Sequence, residues 1–270
     1  MNANADSERF HGVEKYAAYL QTPEGRLRLD LAFANLREFL PRVTRSLRAL
    51  DIGSGTGAMA IRLARLGLHV TLLDSSLPML DFAQRAAQEA GVTDWIVLQH
   101  GDVSQLRGLF LPGSFDVILC HNILEYVDNP SSALSCAARG LRNSSSIISI
   151  LVRSQAGEVL KAGIQAGDLA LAEHNLAAEW AHESLYGGRV RLFTPDGLQT
   201  MLKAAHLISA AERGVRVVSD YLPPQVCRTT EYERIFELER KLGRRAEFAA
   251  VARYTHCLAR SEASITKDSV

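Results

Sequence analysis

One stretch narrows what this chain can fold into more than any other: Leu50-Asp51-Ile52-Gly53-Ser54-Gly55-Thr56-Gly57. A short apolar run ends, three glycines follow at alternate positions, and Ala58-Met59-Ala60-Ile61-Arg62-Leu63 continues as a helix. Glycines tolerate positive φ and let backbone approach a ligand closely. A helix start adds unpaired N–H groups and a dipole that favours negative charge. A second strand, His69-Val70-Thr71-Leu72-Leu73-Asp74, ends on an acid 21 positions after Gly53. In nucleotide-binding βαβ units an acid at about 20 positions accepts bonds from ribose hydroxyls.

The glycines read G-x-G-x-G rather than the G-x-G-x-x-G of nicotinamide and flavin enzymes. With the preceding Leu50-Asp51 and the distal Asp74, the stretch resembles motif I of the class I S-adenosylmethionine-dependent methyltransferases. The strand–loop–helix–strand–acid context that such a motif requires is complete.

The rest of the chain sets limits. At 270 residues it is long enough for one large domain with a cap or insertion. Apolar residues make up 47% and charged residues 22%, as in globular proteins. Basic and acidic residues balance at 30 each, so no global field draws the chain to nucleic acid or membrane, and a polyanion site has to be a local patch. Cys120, Cys136, Cys227 and Cys257 form no C-x-x-C pair and have no histidine at ligand spacing, so no metal site is expected. Reduced thiols, the lack of a signal sequence in Met1–Asp6 and the lack of a bilayer-length apolar run together predict a cytoplasmic protein without a membrane anchor. Oligomeric state is not legible. Residues 1–8 and 261–270 are expected to fray.

Strands are predicted near 47–52, 69–74, 95–100, 115–120 and 146–152, and helices near 57–66, 76–90, 130–141 and 195–205. Two helices precede them, from Phe10 to Tyr19 and from Pro23 to Leu40, the second with Thr22 as cap. Late strands are expected around Leu207–Val218 and Val251–Arg260, with a charged helix, Tyr232–Leu242, between them. The expectation is one α/β domain over 1–270. It comprises a Rossmann-like, mostly parallel seven-stranded sheet with helices on both faces, an N-terminal helical cap over 1–44 and a helical insertion over 155–190. The insertion, Ala-rich and locally acidic, is either a lid or a structural cap.

Ligands in such sheets lie beyond the carboxyl ends of the strands. The residues there are Gly53, Ser54, Gly55, Gly57, Asp74, Ser75, Asp102, Val103 and His121. In the methyltransferase reading Asp74 holds the ribose and Asp102 the adenine amino group. Val103, Met79 and Ile123 line the ring, and His121 faces the methionine end. Asp102 also suits a helix cap, His121 a satisfied loop, and Asp116 a cap or turn.

Over about Phe10–Arg260 the chain further resembles the tRNA 5-carboxymethoxyuridine methyltransferase family. The resemblance is carried by Gly25-Arg26-Leu27-Arg28, by Leu73-Asp74-Ser75-Ser76-Leu77-Pro78-Met79 and by His121–Val127. Gly214-Val215-Arg216-Val217-Val218-Ser219-Asp220-Tyr221-Leu222 carries it most specifically, and Tyr232-Glu233, Leu238-Glu239 and Arg253-Tyr254 with His256 continue it. It implies an enzyme that uses S-adenosylmethionine to esterify a carboxymethoxy group on a wobble uridine of tRNA, with Arg28 reaching the cofactor. The loop here is less glycine-rich than in that family, and Leu171-Ala172-Glu173-His174 stands where members carry lysines. Arg213, Arg216 and Arg228, or Arg240, Lys241, Arg244 and Arg245, are the local basic groups that remain. Tyr221, Tyr232 and Tyr254 are candidates to stack a base. A carboxylate acceptor is already ionised at neutral pH and needs no general base, but it needs a cationic cradle. Arg216 is the first candidate for that role and Tyr221 the second. A methyltransferase acting on a small metabolite and a non-catalytic cofactor-binding protein are the alternatives.

Overall fold

In a computed structural model, residues 12–42, 45–183 and 188–262 are described. The expected fraying at 1–8 and over most of 261–270 lies outside them. Two helices lead the chain, α1 (Val13–Gln21) and α2 (Pro23–Arg37). Thr22 caps α2, its Oγ1 accepting the Gly25 N–H at 3.1 Å, with Pro23 in the first turn.

The central unit then alternates: β1 (Arg48–Ile52), α3 (Ala58–Ala64), β2 (His69–Asp74), α4 (Leu77–Glu89), β3 (Ile96–His100), β4 (Val117–His121), α5 (Pro130–Ala138) and β5 (Ile147–Arg153). After an excursion come α8 (Pro195–Ala204), β8 (Leu207–Val215), α9 (Tyr232–Gly243) and β9 (Tyr254–Ser261). The seven-stranded sheet runs β3-β2-β1-β4-β5-β9-β8. β1 to β5 are parallel, and β9 is antiparallel to both of its neighbours. Chain order reverses at β1, between β2 and β4, the place where open α/β sheets leave a crevice.

The inner strands β1, β2, β4, β5 and β9 are buried on both faces and read as largely apolar runs, while the edge strands β3 and β8 stay partly exposed. On one face Ala49, Leu72, Leu119 and Leu258 pack with Leu31 of α2, Leu63 of α3, Leu80 of α4 and Ile235 of α9. On the other, Leu50, Ile118, Ile150 and Cys257 pack with Leu134 of α5 and Leu198 and Leu202 of α8. Asp116 stands just before β4. It accepts the Arg48 N–H at 2.9 Å and pairs with Arg45 and Arg142, which makes it a structural acid, as its turn reading anticipated.

The insertion corrects the expectation of helices throughout. It contains α6 (Gln155–Leu160), a π-helical turn over Lys161–Gln165 and α7 (Leu169–Asn175). It then forms a two-stranded ribbon, β6 (Trp180–Glu183) with β7 (Gly188–Arg191). The ribbon is too short for its period-2 pattern to show beside the Ala-rich run: only Glu183 and Val190 are buried, while His182, Gly188 and Arg189 are exposed. Tyr186 and Gly187, toward the end of the insertion, lie outside the described residues. No helix among the described residues is long and apolar enough to cross a membrane.

One carboxylate fixes the turn after β8. Glu239 of α9, fully buried, accepts the N–H groups of Val217 (2.6 Å), Val218 (2.9 Å) and Ser219 (2.7 Å). The helix can come this close because a Cβ at Gly243 would lie 2.2 Å from the Gly214 carbonyl oxygen. The turn holds Arg216 at φ +63, a backbone region costly for a long side chain. Glu239→Ala leaves three buried donors unpaired, and a loss of about 3 kcal/mol or more in denaturant unfolding is expected. Glu233→Ala, on the same helix but exposed, is expected to stay within about 0.5 kcal/mol of the parent.

Candidate active site

A cavity of about 570 Å³ opens across the carboxyl ends of the parallel strands. One half is built at β1, β2 and β3. Gly53 takes φ +67, and a Cβ there would meet the Ile123 side chain at 2.7 Å. The Asp74 carboxylate, at the end of β2, accepts the N–H groups of Gly55 (2.7 Å) and Ser76 (2.9 Å). These bonds lock the glycine loop to the strand end and leave further carboxylate lone pairs for a ligand. Burial raises the Asp74 carboxyl, while the N–H groups of Ser76 and Gly55 pull it back. Asp51, buried beneath the loop, is pushed up to about 7 by burial and then by Asp74. Ser75, Met79, Asp102 and Val103 complete this wall. Asp102 accepts the Ser104 N–H at 2.8 Å in a capping box with Gln105, so it is both cap and cavity residue.

The other half lies at β4, β5 and the start of β9. Arg28 of α2, Arg153 at the end of β5, Arg216, and Arg253 with Tyr254 at the start of β9 converge here. β5 and β9 bring Arg153 opposite Tyr254 in register. Arg153 pairs with Glu158 (3.2 Å) and Glu183 (3.8 Å). Arg253 pairs with Glu158 (2.6 Å) and Asp220 (3.8 Å). The Arg28 guanidinium stands over the rings of Tyr19 (5.0 Å), Tyr254 (5.6 Å) and Tyr16 (5.9 Å) and donates to Tyr16 Oη at 3.1 Å. Burial alone would raise the Tyr254 phenol; Arg28, Arg153, Arg216 and Arg253 outweigh it and bring it down to about 7. Lys161, on the π-helical turn, also lines the cavity, and burial followed by Arg253 lowers its ammonium. The ribbon supplies Glu183 and Arg189 to the lining. Its Trp180 ring is flanked by the guanidiniums of Arg189 (4.9 Å) and Arg191 (4.4 Å).

Of the residues singled out from sequence, Arg28, Gly53, Gly55, Asp74, Ser75, Met79, Asp102, Val103, His121 and Arg216 share this one cavity. Ser54 borders a smaller adjoining one. Gly57 is not among the lining residues; at φ +73 it packs against Ala83 and Leu72. Tyr221 is not among them either, which removes the direct contact expected of it; burial pushes its phenol up to about 12. Arg216 lines the cavity, but Asp220 already takes its Nε (2.7 Å) and Nη2 (2.5 Å), and its Nη1 donates to Tyr19 (3.0 Å). A second carboxylate therefore cannot take its whole fork. Tyr232 bonds Asp30 at 2.5 Å and lies under Arg26, outside the cavity. Arg240 and Arg244 pair with Glu38, and Arg245 with Glu247, as on a solvated helix face.

Tyr16, Tyr19, Arg153 and Lys161 line the cavity without having been expected from sequence, Arg253 had no assigned role, and Tyr254 was expected only as a base-stacking ring. Arg253-Tyr254 belongs to a segment that carries the family resemblance; the other residues lie on elements that carry no motif.

Residues 50–149 match a family model described as a methyltransferase domain. The chain is 29% identical to the tRNA 5-carboxymethoxyuridine methyltransferase of Escherichia coli K12, over 96% of this chain and 97% of that one. A ubiquinone biosynthesis O-methyltransferase of Paracidovorax citrulli is 39% identical, but over 34% of this chain and 38% of its own length. Among solved structures, a methyltransferase of Thermotoga maritima superposes with a TM-score of 0.61 at 15% identity, covering 94% of this chain and 97% of that one. The 1,6-didemethyltoxoflavin-N1-methyltransferase of Burkholderia thailandensis, which holds S-adenosylhomocysteine, gives 0.59 at 19% identity, covering 96% and 88%. The methyltransferase-domain match, the likeness along the chain and the shared fold together support an S-adenosylmethionine-dependent methyltransferase of class I architecture.

The arginine cluster has a direct optical consequence. One tyrosine is expected to ionise near pH 7 in an absorbance titration of the folded protein. Tyr254→Phe should remove that step, and a step that survives the substitution contradicts the assignment.

Proposed function

We propose that this S-adenosylmethionine-dependent methyltransferase esterifies the carboxylate of 5-carboxymethoxyuridine at the wobble position of tRNA. The observation that carries the reading is the concentration of Arg28, Arg153, Arg216, Arg253 and Lys161 at the β5–β9 end of the cavity. It is supported by similarity that runs the length of both chains to an enzyme named for that reaction. A tRNA acceptor places the reaction in the cytoplasm.

The lining fits the cofactor. The left-handed Gly53 and Gly55 let backbone pass close to a ligand, Asp74 ends β2 on a carboxylate, and Asp102 places another two residues beyond β3. Asp74 would accept from ribose hydroxyls, Asp102 from the adenine amino group, Met79 and Val103 would pack on the ring, and Arg28 and His121 would face the methionine end. When bound, the cofactor supplies an electrophilic methyl group on a sulfonium.

The chain's own residues supply position. A carboxylate acceptor is already ionised at neutral pH, so no group has to remove a proton. The guanidiniums neutralise the incoming acid and hold it in place for attack on the methyl group. Arg216 contributes through its Nη1 and its charge, since Asp220 takes the other donors. Arg189 and Arg191 on the ribbon, with Arg213 and Arg228, give phosphate contacts in place of the absent lysines.

A small carboxylic acid is the second reading. It is favoured by Glu24, Glu125, Glu183 and Asp220, which share the lining and nearly balance the arginines.

Protein incubated with isotopically labelled S-adenosylmethionine and tRNA carrying 5-carboxymethoxyuridine should yield the labelled methyl ester in digested nucleosides. No transfer, from protein shown to bind S-adenosylhomocysteine, overturns the tRNA reading in favour of the small acid. Arg216→Lys is expected to lower kcat/KM for that tRNA by about tenfold to a hundredfold, with the S-adenosylhomocysteine dissociation constant nearly unchanged. Asp74→Asn should do the converse, weakening S-adenosylhomocysteine by about tenfold in calorimetry.

A further inference from the structure

Behind the cavity, a line of polar groups crosses a mainly apolar sheet face. His121, the last residue of β4, places Nε2 at 2.8 Å from Ser149 Oγ on β5. The same Oγ lies 2.7 Å from Nε2 of His256 on β9. His256 Nδ1 in turn lies 3.3 Å from Nδ2 of Asn35 on α2. The two imidazoles meet edge to face, 5.4 Å apart. Ser149 and His256 are fully buried and Asn35 is 5% exposed, so water does not compete for these bonds. The chain links three neighbouring strands and the helix that covers them. Nothing in the methyltransferase fold alone calls for polar side chains there, where Leu119, Leu151 and Leu258 share the same face.

The direction of the chain follows from its far end. An amide nitrogen only donates, so His256 Nδ1 accepts and the single proton of that ring sits on Nε2. Ser149 Oγ accepts this proton and has one hydrogen of its own, which goes to His121 Nε2. The His121 ring then carries its proton on Nδ1, which has no hydrogen-bond partner among the described residues, and the ring borders the cavity. Both rings are neutral. Burial, followed by Arg28, lowers His121 to about 3; burial, then His121 and Arg213, lowers His256 well below the usual range.

We propose that Asn35, His256 and Ser149 form a polarised hydrogen-bond chain that fixes His121 as a donor, presenting Nδ1–H to a carboxylate at the Arg28 side of the cavity. The three are positioning residues; only His121 borders the ligand. The carboxylate is that of the cofactor's amino-acid end or that of the acceptor. In the second case the inference deepens the function proposed above and rests on it; the tautomer itself does not. A ring fixed in this way has no lone pair toward the cavity and takes no proton from an acceptor. The device suits an acceptor that arrives already ionised.

Nitrogen NMR of histidine-labelled protein reads the tautomer directly. His121 is expected to be protonated at Nδ1 and bare at Nε2. Ser149→Ala, which deletes one oxygen, should return His121 to a mixture of tautomers, and Asn35→Leu, remote from any ligand, should shift it the same way. With the chain cut, S-adenosylhomocysteine should bind about tenfold more weakly if the carboxylate is the cofactor's. If it is the acceptor's, that affinity should hold while KM for tRNA carrying 5-carboxymethoxyuridine rises by a similar factor. Either result supports the proposal. His121 found protonated at Nε2 in the parent protein overturns it, and that spectrum needs no variant to fold. A tautomer shift that weakens neither ligand overturns the donor role. Failure of transfer to tRNA would leave the tautomer and the S-adenosylhomocysteine readings intact, so the two proposals fail separately.

Discussion

Four guanidinium groups packed round one buried phenol set the terms for the rest of this molecule. Charges taken out of water cost several kcal/mol each unless paired and hydrogen-bonded, so such a cluster persists only if its counter-ions are delivered to it. Glu158 comes from α6, Asp220 from the turn after β8, and Glu183 from the ribbon. The insertion, which looks dispensable as a sequence, is therefore tied to the sheet by the charges that line the site. Removing Asp220 takes away the carboxylate paired with Arg216, and removing Glu158 or Glu183 leaves Arg153 with one carboxylate in place of two, so the loss falls first on the wall of the cavity.

That arrangement divides the cavity into two chemistries. At β1 to β3 the groups offered to a ligand are short acids, held rigid by backbone amides at and just beyond the strand ends. At β5 to β9 they are long cationic side chains held in place by pairing, with Arg216 set in a backbone conformation that an unbraced turn would not keep. Glu239 is that brace, reaching from a helix that touches no part of the cavity. The specificity of the second half thus depends on a carboxylate well away from it in sequence.

Much of the first half is legible in the sequence, because its determinants are local. Gly53, Gly55 and Asp74 announce themselves through one βαβ unit, and Thr22 and Pro23 mark the start of α2 within two residues. The second half is not local. Arg153 meets Tyr254 because β9 enters antiparallel beside β5, a pairing between residues about a hundred apart that no spacing reveals. Tyr16 and Tyr19 look like ordinary positions on an amphipathic helix until α1 is seen lying along the cavity. Tyr221, by contrast, sits in the most specific matching segment yet misses the lining; its neighbours Arg216 and Asp220 explain the pattern better than it does. The ribbon at Trp180–Arg191 was hidden for the opposite reason, its strands being too short for alternation to outweigh the alanines before them.

The ribbon has one more consequence. Of the chain's two tryptophans, Trp95 rests against His69 at 4.6 Å, beside β3, and does not line the cavity. Trp180 stands within 5 Å of two guanidiniums, at 4.9 and 4.4 Å, on a ribbon that contributes Glu183 and Arg189 to the cavity wall. Indole emission is sensitive to neighbouring charge, and one of the two fluorophores sits where a polyanion would draw those arginines away. The protein thus carries its own reporter for engagement of the ribbon, with a second indole away from the cavity as an internal reference.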